Sequence, residues 1–270
     1  MVIRKTGWYA LLGVLSLIVL FPIYLTFVRA LTPPVEFALQ DSPLYPAHPQ
    51  WSAFAEAWTR AGLGHAALQS LIMTVLITLA QVVTGVLAAY AFVFLKFPFR
   101  RLLFAVCMAT MLLPIEVTLL ANVGTIRDLH WIDSMQALVL PFGASAFGIF
   151  LLRQAFAGIP SEIKDASRLD GHGHLHLLFL IAVPLTRPVV ASFTLIAALG
   201  AWGQYLWPRT VVESSEAATL QVALRGLSFS ANDLNLLPAG ALITAVPVLF
   251  LLIVFQRQIV RGLTAGAVKG

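Results

Sequence analysis

The sequence predicts an all-α integral membrane protein with six transmembrane helices, and three observations predict it. Of its 270 residues, 59% are hydrophobic and 11% charged, with a mean hydropathy of +0.89, a balance that excludes a soluble globular domain. The charges are parted by six apolar runs, at about 7–30, 66–95, 102–122, 135–156, 179–207 and 236–255, against the roughly 20 residues needed to cross a hydrocarbon core. The basic residues are also asymmetric. With the amino terminus cytoplasmic and the sides alternating, 12 of the 17 Lys and Arg fall inside and five outside, as the positive-inside rule requires. Both termini are then cytoplasmic, and the pI near 9.7 reflects a membrane surface rather than a nucleic-acid partner.

The first run follows Arg4 and Lys5, and Val28-Arg29-Ala30 imitates a cleavage site. It is nevertheless longer than the usual signal-peptide core of about 7–15 residues, so it reads as a retained span. The outer loop 31–65 is proline-rich and carries Trp51 and Trp58, which suit an interface. The second and fifth runs exceed a span's length and must tilt, kink or project. LKFPFRR turns the chain on the inner side, where Pro98 breaks the helix and the basic residues face headgroups. The third run holds Cys107, the single cysteine, which reads as a small buried apolar side chain. It is interrupted by Pro114 and Glu116. As the one acid inside a run, Glu116 is a functional candidate by default. It could bond freed backbone groups, fix a kink or line a pore; a proton relay would need a titratable partner within the spans, and none is apparent. The polar loop 209–235 has room for a short amphipathic piece around 220–227.

Between the fourth and fifth runs the chain is unusually polar. Glu162, Lys164, Asp165, Arg168 and Asp170 follow at helical spacing and precede Gly171, a pattern suited to a surface helix gripped from the water. The alternative is an ordinary amphipathic connector. His172, His174 and His176 come next. On a helix the first and third would share a face and His174 would point away, so at most two could ligate a metal, and they read as solvated loop residues.

None of the four lysines (Lys5, Lys96, Lys164, Lys269) follows a glycine, so the chain has no Walker A site and a nucleotide-driven transporter would need a separate ATPase. The stretch 159–188 resembles the EAA loop of bacterial ABC importer permeases: Ile159, Pro160, Glu162, Ala166, Asp170, Gly171, Pro184, Leu185 and Pro188 match it. Asp165 stands where the pattern has Glu, Ser167 and His172 where it has Ala. WGQYLWP at 202–208 and RGLTAGAVKG at 261–270 are similar to the MalG-type permeases of carbohydrate importers, with Gly203 in place of a customary Asn. FPFR at 97–100, LLPIEV at 112–117, Asp133-Ser134 and QYLWP look like the Ugp-type glycerol-3-phosphate permeases.

The resemblance implies a type I ABC importer permease fold forming a single transmembrane domain over 1–270, with a cytoplasmic coupling helix in the loop at about 159–178. Glu162, Asp165, Ala166, Asp170 and Gly171 would couple to the ATPase, with Gly171 as a positive-φ helix stop. Glu116, Gln204 and Tyr205 would contact solute along the translocation path, and Lys269 would reach the ATPase from a natural carboxyl terminus. The chain would be no enzyme and bind no cofactor, ATP and Mg residing on an ATPase dimer. A second, different permease, an extracytoplasmic binding protein and bacterial inner-membrane lipid would complete the assembly. The implied substrate is glycerol 3-phosphate or a glycerophosphodiester such as glycerophosphocholine, and the wider family's is a neutral sugar such as maltose or trehalose. A proton-coupled secondary transporter would need more intramembrane titratable groups than Glu116, and an intramembrane protease a HExxH, paired-Asp or Ser/His constellation that the spans lack.

Overall fold

The computed structural model describes residues 2–39, 44–228 and 234–265, and contains helices and no strands among them. In chain order the helices are α1 Val2–Leu31, α2 Pro34–Leu39, α3 Ser52–Arg60, α4 Leu63–Phe94, α5 Arg100–Ala109, α6 Ile115–Asp128, α7 Met135–Val139, α8 Ala146–Ala157, α9 Ser161–Leu169, α10 His174–His176, α11 Val183–Leu185, α12 Arg187–Trp202, α13 Leu206–Val211, α14 Leu220–Arg225 and α15 Leu236–Ala265. The segment 177–182 joins α10 to α11 as a stretch of wider π turns.

Three helices are unbroken and apolar enough to cross a membrane, over Gly7–Leu31, Leu63–Phe94 and Leu236–Gln256. The other three apolar runs are bent pairs: Arg100–Leu112 with Glu116–Asp128 at 101°, Met135–Phe142 with Ala146–Ala157 at 44°, and His174–Leu185 with Arg187–Trp202 at 82°. Counting each pair as one span gives six. Each bend has a local cause. Pro114 is extended, with ψ 139°, and supplies no N–H to the preceding turn. Ser145 leaves helical geometry to cap α8, its hydroxyl accepting the Gly148 N–H at 3.2 Å. Thr186 ends one helix and starts the next, with Pro188 in the first turn, where a missing N–H costs nothing.

The chain packs as two compact units, residues 1–67 with 219–247 and residues 68–218 with 248–270, a division falling inside α4 and α15. In the first, Ala30, Ala53, Ala57, Leu227, Leu236 and Ala239 form the core. The side chain of Gln50 accepts the Asn235 amide at 3.2 Å, and its N–H donates to Leu31 O at 2.8 Å. The amphipathic piece expected around 220–227 is α14. In the second unit, Val86, Tyr90 and Phe94 of α4 meet Leu152 and Phe156 of α8, Leu177, Leu178 and Ala182 of the π segment, and Phe193 and Ala197 of α12. Only 6% of the Gly7–Leu31 window is buried within the chain, against 33% for Leu63–Phe94. Nearly the whole face of α1 is thus left for lipid or another subunit.

Candidate functional site

Helix α9 is nine residues long and splits cleanly into two faces. Ser167 is buried, Ile163 and Lys164 are half-buried, and the Lys164 ammonium lies 5.9 Å from the centre of the Phe94 ring. Glu162, Asp165, Ala166 and Leu169 are exposed. Their spacing, i, i+3, i+4 and i+7, lays two carboxylates, a methyl and an isobutyl group along one stripe facing away from the fold. Leu169 is 89% exposed. The sequence reading singled out the acids and Ala166 and passed over Leu169, which the i+7 spacing from Glu162 would have flagged.

The helix stops as the glycine suggested. Gly171 has φ +76°, and the His172 N–H reaches back to Ser167 O at 3.0 Å, the six-to-one bond of a Schellman stop. A Cβ at Gly171 would meet nothing within 4 Å, so its requirement is for the left-handed backbone and not for space. Beyond it, the His172 and His176 rings stack with centroids 3.6 Å apart, although His172 precedes α10 and the two do not share a helical face. His174 is not simply solvated: its Nδ1 is 2.8 Å from the hydroxyl of Tyr90, which is itself buried in the core of this unit. That contact ties the end of the loop to α4.

Of the three residues expected along a solute path, Gln204 lines an open cleft of about 260 Å³ together with Gln81, Ser145, Phe147, Phe193 and Gly200. Its Oε1 is buried with no hydrogen-bond partner. Gln81 spends an N–H on Phe142 O at 2.9 Å, and a Cβ at Gly200 would face open space. The result is a neutral cleft of amides and a hydroxyl over aromatic walls. Gln81 and Ser145 lie far from Gln204 in sequence, and no local motif marks them.

Tyr205 and Glu116 are not among that lining. Tyr205 is 36% exposed at the entry to α13, which Trp207 anchors by donating its indole N–H to Ala137 O at 2.9 Å. Glu116 is exposed in the first turn of α6, directly after extended Pro114. There its charge favours the amino-terminal end of the helix dipole. Lys269 lies outside the described residues.

On the side of the turn expected to face outward, Asp133 adopts φ +59° and clamps two loops. Its Oδ1 accepts the Ser214 N–H at 3.0 Å and the Glu213 N–H at 2.7 Å, and its own N–H donates to Val211 O at 3.0 Å. These bonds, Ser214's first, hold its carboxyl below the usual carboxylate range.

Residues 81–264 match the family model described as the binding-protein-dependent transport system inner membrane component. The sn-glycerol-3-phosphate transport system permease protein UgpE of Pectobacterium atrosepticum is 33% identical over 262 residues, covering 94% of this chain and 92% of that one. UgpE of Yersinia pestis bv. Antiqua is 32% identical over 257 residues, covering 92% and 91%. A crystal structure of a bacterial ABC transporter involved in the import of the acidic polysaccharide alginate contains a chain that superposes with a TM-score of 0.81 at 23% identity, over 94% of this chain and 96% of that one. With that fold, that match and several apolar helices, the chain is a multi-pass permease of the ABC importer type and belongs to the binding-protein-dependent transport system inner membrane component family.

Proposed function

We propose that this chain is one of two different permease subunits of an importer that carries glycerol 3-phosphate or a glycerophosphodiester. ATP hydrolysed with Mg on a separate ATPase dimer drives it, and an extracytoplasmic binding protein delivers the solute. The substrate reading is supported by relatives whose names specify sn-glycerol-3-phosphate transport and that align with over nine-tenths of the chain. The chain itself hydrolyses nothing, and both termini are cytoplasmic.

The observation that carries the coupling role is the exposed stripe on α9. Burying a leucine side chain is worth about 1.5–3 kcal/mol, yet Leu169 is left 89% exposed beside Glu162, Asp165 and Asp170, just before the Gly171 stop. A partner with an apolar cleft rimmed by basic groups fits that face, and in this reading the partner is the ATPase. Asp165 is one methylene shorter than the residue usual at its place, so its ion pair must close to a shorter reach. Solute crosses past Gln204, with Tyr205 and Glu116 contributing outside the cleft, and Lys269 meets the ATPase from the carboxyl-terminal tail.

Two experiments test this. In the reconstituted complex, Asp165→Lys abolishes solute-stimulated ATPase activity and transport while the chain still inserts; full transport by a well-expressed variant discards the coupling role. Deleting the gene stops uptake of radiolabelled glycerol 3-phosphate or glycerophosphocholine and spares disaccharide uptake. The reverse pattern refutes the phosphate substrate and leaves the permease in place.

A further inference from the structure

Three guanidinium groups from two distant parts of the chain share one pocket. Arg100 and Arg101 open α5, just after the FPF turn, and Arg153 stands on α8; together with Phe92 and Phe104 they line a cavity of about 280 Å³. No carboxylate lines it among the described residues. Two of the arginines are held in place by neutral groups. Arg100 donates to Leu95 O at 3.0 Å, and the Arg153 guanidinium stacks 4.3 Å from the centre of the Phe104 ring. Phe104 in turn meets Phe92 edge-on at 5.3 Å.

Three like charges around one cavity repel unless an anion lies between them, and guanidinium forks match the oxygens of a phosphate. The rim of the pocket tells where that phosphate comes from. Phe99 is 74% exposed and Leu102 60% exposed, beside Lys96 and the two arginines. Apolar side chains bare to their surroundings, interleaved with bases, mark the level where acyl chains give way to headgroups. We propose that Arg100, Arg101 and Arg153 bind a phosphate group there, that of an anionic phospholipid headgroup, and so fasten the α4–α5 turn to α8 at the membrane surface. The site is separate from the cleft at Gln204 and holds whatever the solute.

The test uses the assembled importer in nanodiscs of phosphatidylcholine with or without phosphatidylglycerol. Each arginine near an anionic surface contributes roughly fivefold in affinity, so Arg101→Gln with Arg153→Gln weakens retention of phosphatidylglycerol about 25-fold. Retention is read by native mass spectrometry during delipidation. The Lys pair at the same positions keeps the charge without the fork and falls between. Arg209→Gln, a guanidinium elsewhere on the chain, retains lipid like the parent. In phosphatidylcholine alone, parent and double variant melt together. Inorganic phosphate and glycerol 3-phosphate form the second arm. Arginine-dependent protection by either soluble anion, with none by phosphatidylglycerol, reassigns the phosphate to solution and overturns the lipid source. Equal retention by parent and double variant, with no protection by soluble phosphate, overturns the site.

Discussion

Gly148→Ala is a test of the packing that holds α8 against α12. A Cβ built at Gly148 falls 2.0 Å from Cζ of Phe193, 2.5 Å from Cε2 and 2.7 Å from Cε1. Non-bonded carbons settle at about 3.5–4.0 Å, so the ring would have to retreat by about 1.5 Å. Phe193 is 1% exposed, and its Cε1 also lies 3.6 Å from the Cβ position of Gly85 on α4, so the ring can yield only toward the cleft at Gln204 and at the cost of its own packing. The two glycines form a notch that admits one aromatic ring between two helices, the close approach that small residues permit inside membranes. Overpacking of this kind costs about 1–3 kcal/mol, and a value near 2 kcal/mol is roughly a 30-fold loss of folded over unfolded chain. The thermal midpoint of the purified complex then falls by about 4–8 °C. Gly13→Ala is the control, since its Cβ meets nothing within 4 Å, and it leaves the midpoint unchanged or slightly raised. Phe193→Leu in the Gly148→Ala background recovers part of the loss, giving a double-mutant coupling above about 0.5 kcal/mol. A Gly148→Ala midpoint equal to the parent's, with additive double-mutant effects, refutes the notch.

Three further outcomes follow from single contacts. Gly171→Val, forced to φ +76°, costs the α9 stop about 1–3 kcal/mol and lowers solute-stimulated ATPase activity, whereas Gly171→Asn, which tolerates that backbone, keeps most of it; ATPase assays of the two variants separate them. Trp207→Phe leaves the Ala137 carbonyl without its donor in a buried setting and destabilises by about 1–3 kcal/mol, read as the thermal midpoint of the complex. The Asp133 carboxyl is lowered in the fold, so its contribution is complete above the unfolded carboxylate value of about 3.9 and disappears as pH falls through the lower folded value. Hydrogen exchange at Glu213 and Ser214 should therefore lose protection as pH falls below the ordinary carboxylate value, and Asp133→Asn, which keeps the left-handed backbone, should show no such pH dependence.

Much of this was legible in the sequence, because it depends on local composition. Apolar runs locate spans, Pro114 announces a break, and Gly171 after a charged helical pattern announces a left-handed stop. The structure adds what depends on residues far apart in the chain. The 82° turn at Thr186 falls within a run that reads as one long apolar span, since Pro184 and Pro188 alone do not say whether a helix kinks or ends. Ser167 reads as one more polar residue in a polar loop, yet it is buried while Leu169 is exposed. Local spacing groups Leu169 with Glu162, but that this stripe is the bare one depends on what packs against the other face, Phe94 of α4 beside Lys164 among it. For the same reason Glu116, Gln204 and Tyr205 looked like one solute path, whereas the folded chain groups Gln204 with Gln81 and Ser145 and leaves the other two outside that lining.

The connection between the α9 face and the cleft is short and has one bend. From Gly171 the chain enters α10, the π segment and α11, then turns at Thr186 into α12, whose far portion carries Gly200 and is followed by Gln204. Thr186 is buried, and it braces the turn on both sides. Its hydroxyl donates to Ala182 O at 2.8 Å, and its carbonyl accepts the N–H groups of Val189 at 2.9 Å and Val190 at 3.1 Å. A turn closed in this way acts as an elbow of set angle more than as a loose hinge. Leu177, Leu178 and Ala182 before the elbow and Phe193 and Ala197 after it also share one core. A push on α9 in the proposed mechanism therefore reaches the Gln204 amide by two routes, through the backbone and through packed side chains. Both routes converge on Phe193, which lines the cleft and fills the glycine notch. The ring that holds α8 against α12 is thus also the ring through which, in that mechanism, movement of the surface helix would reshape the cleft at Gln204.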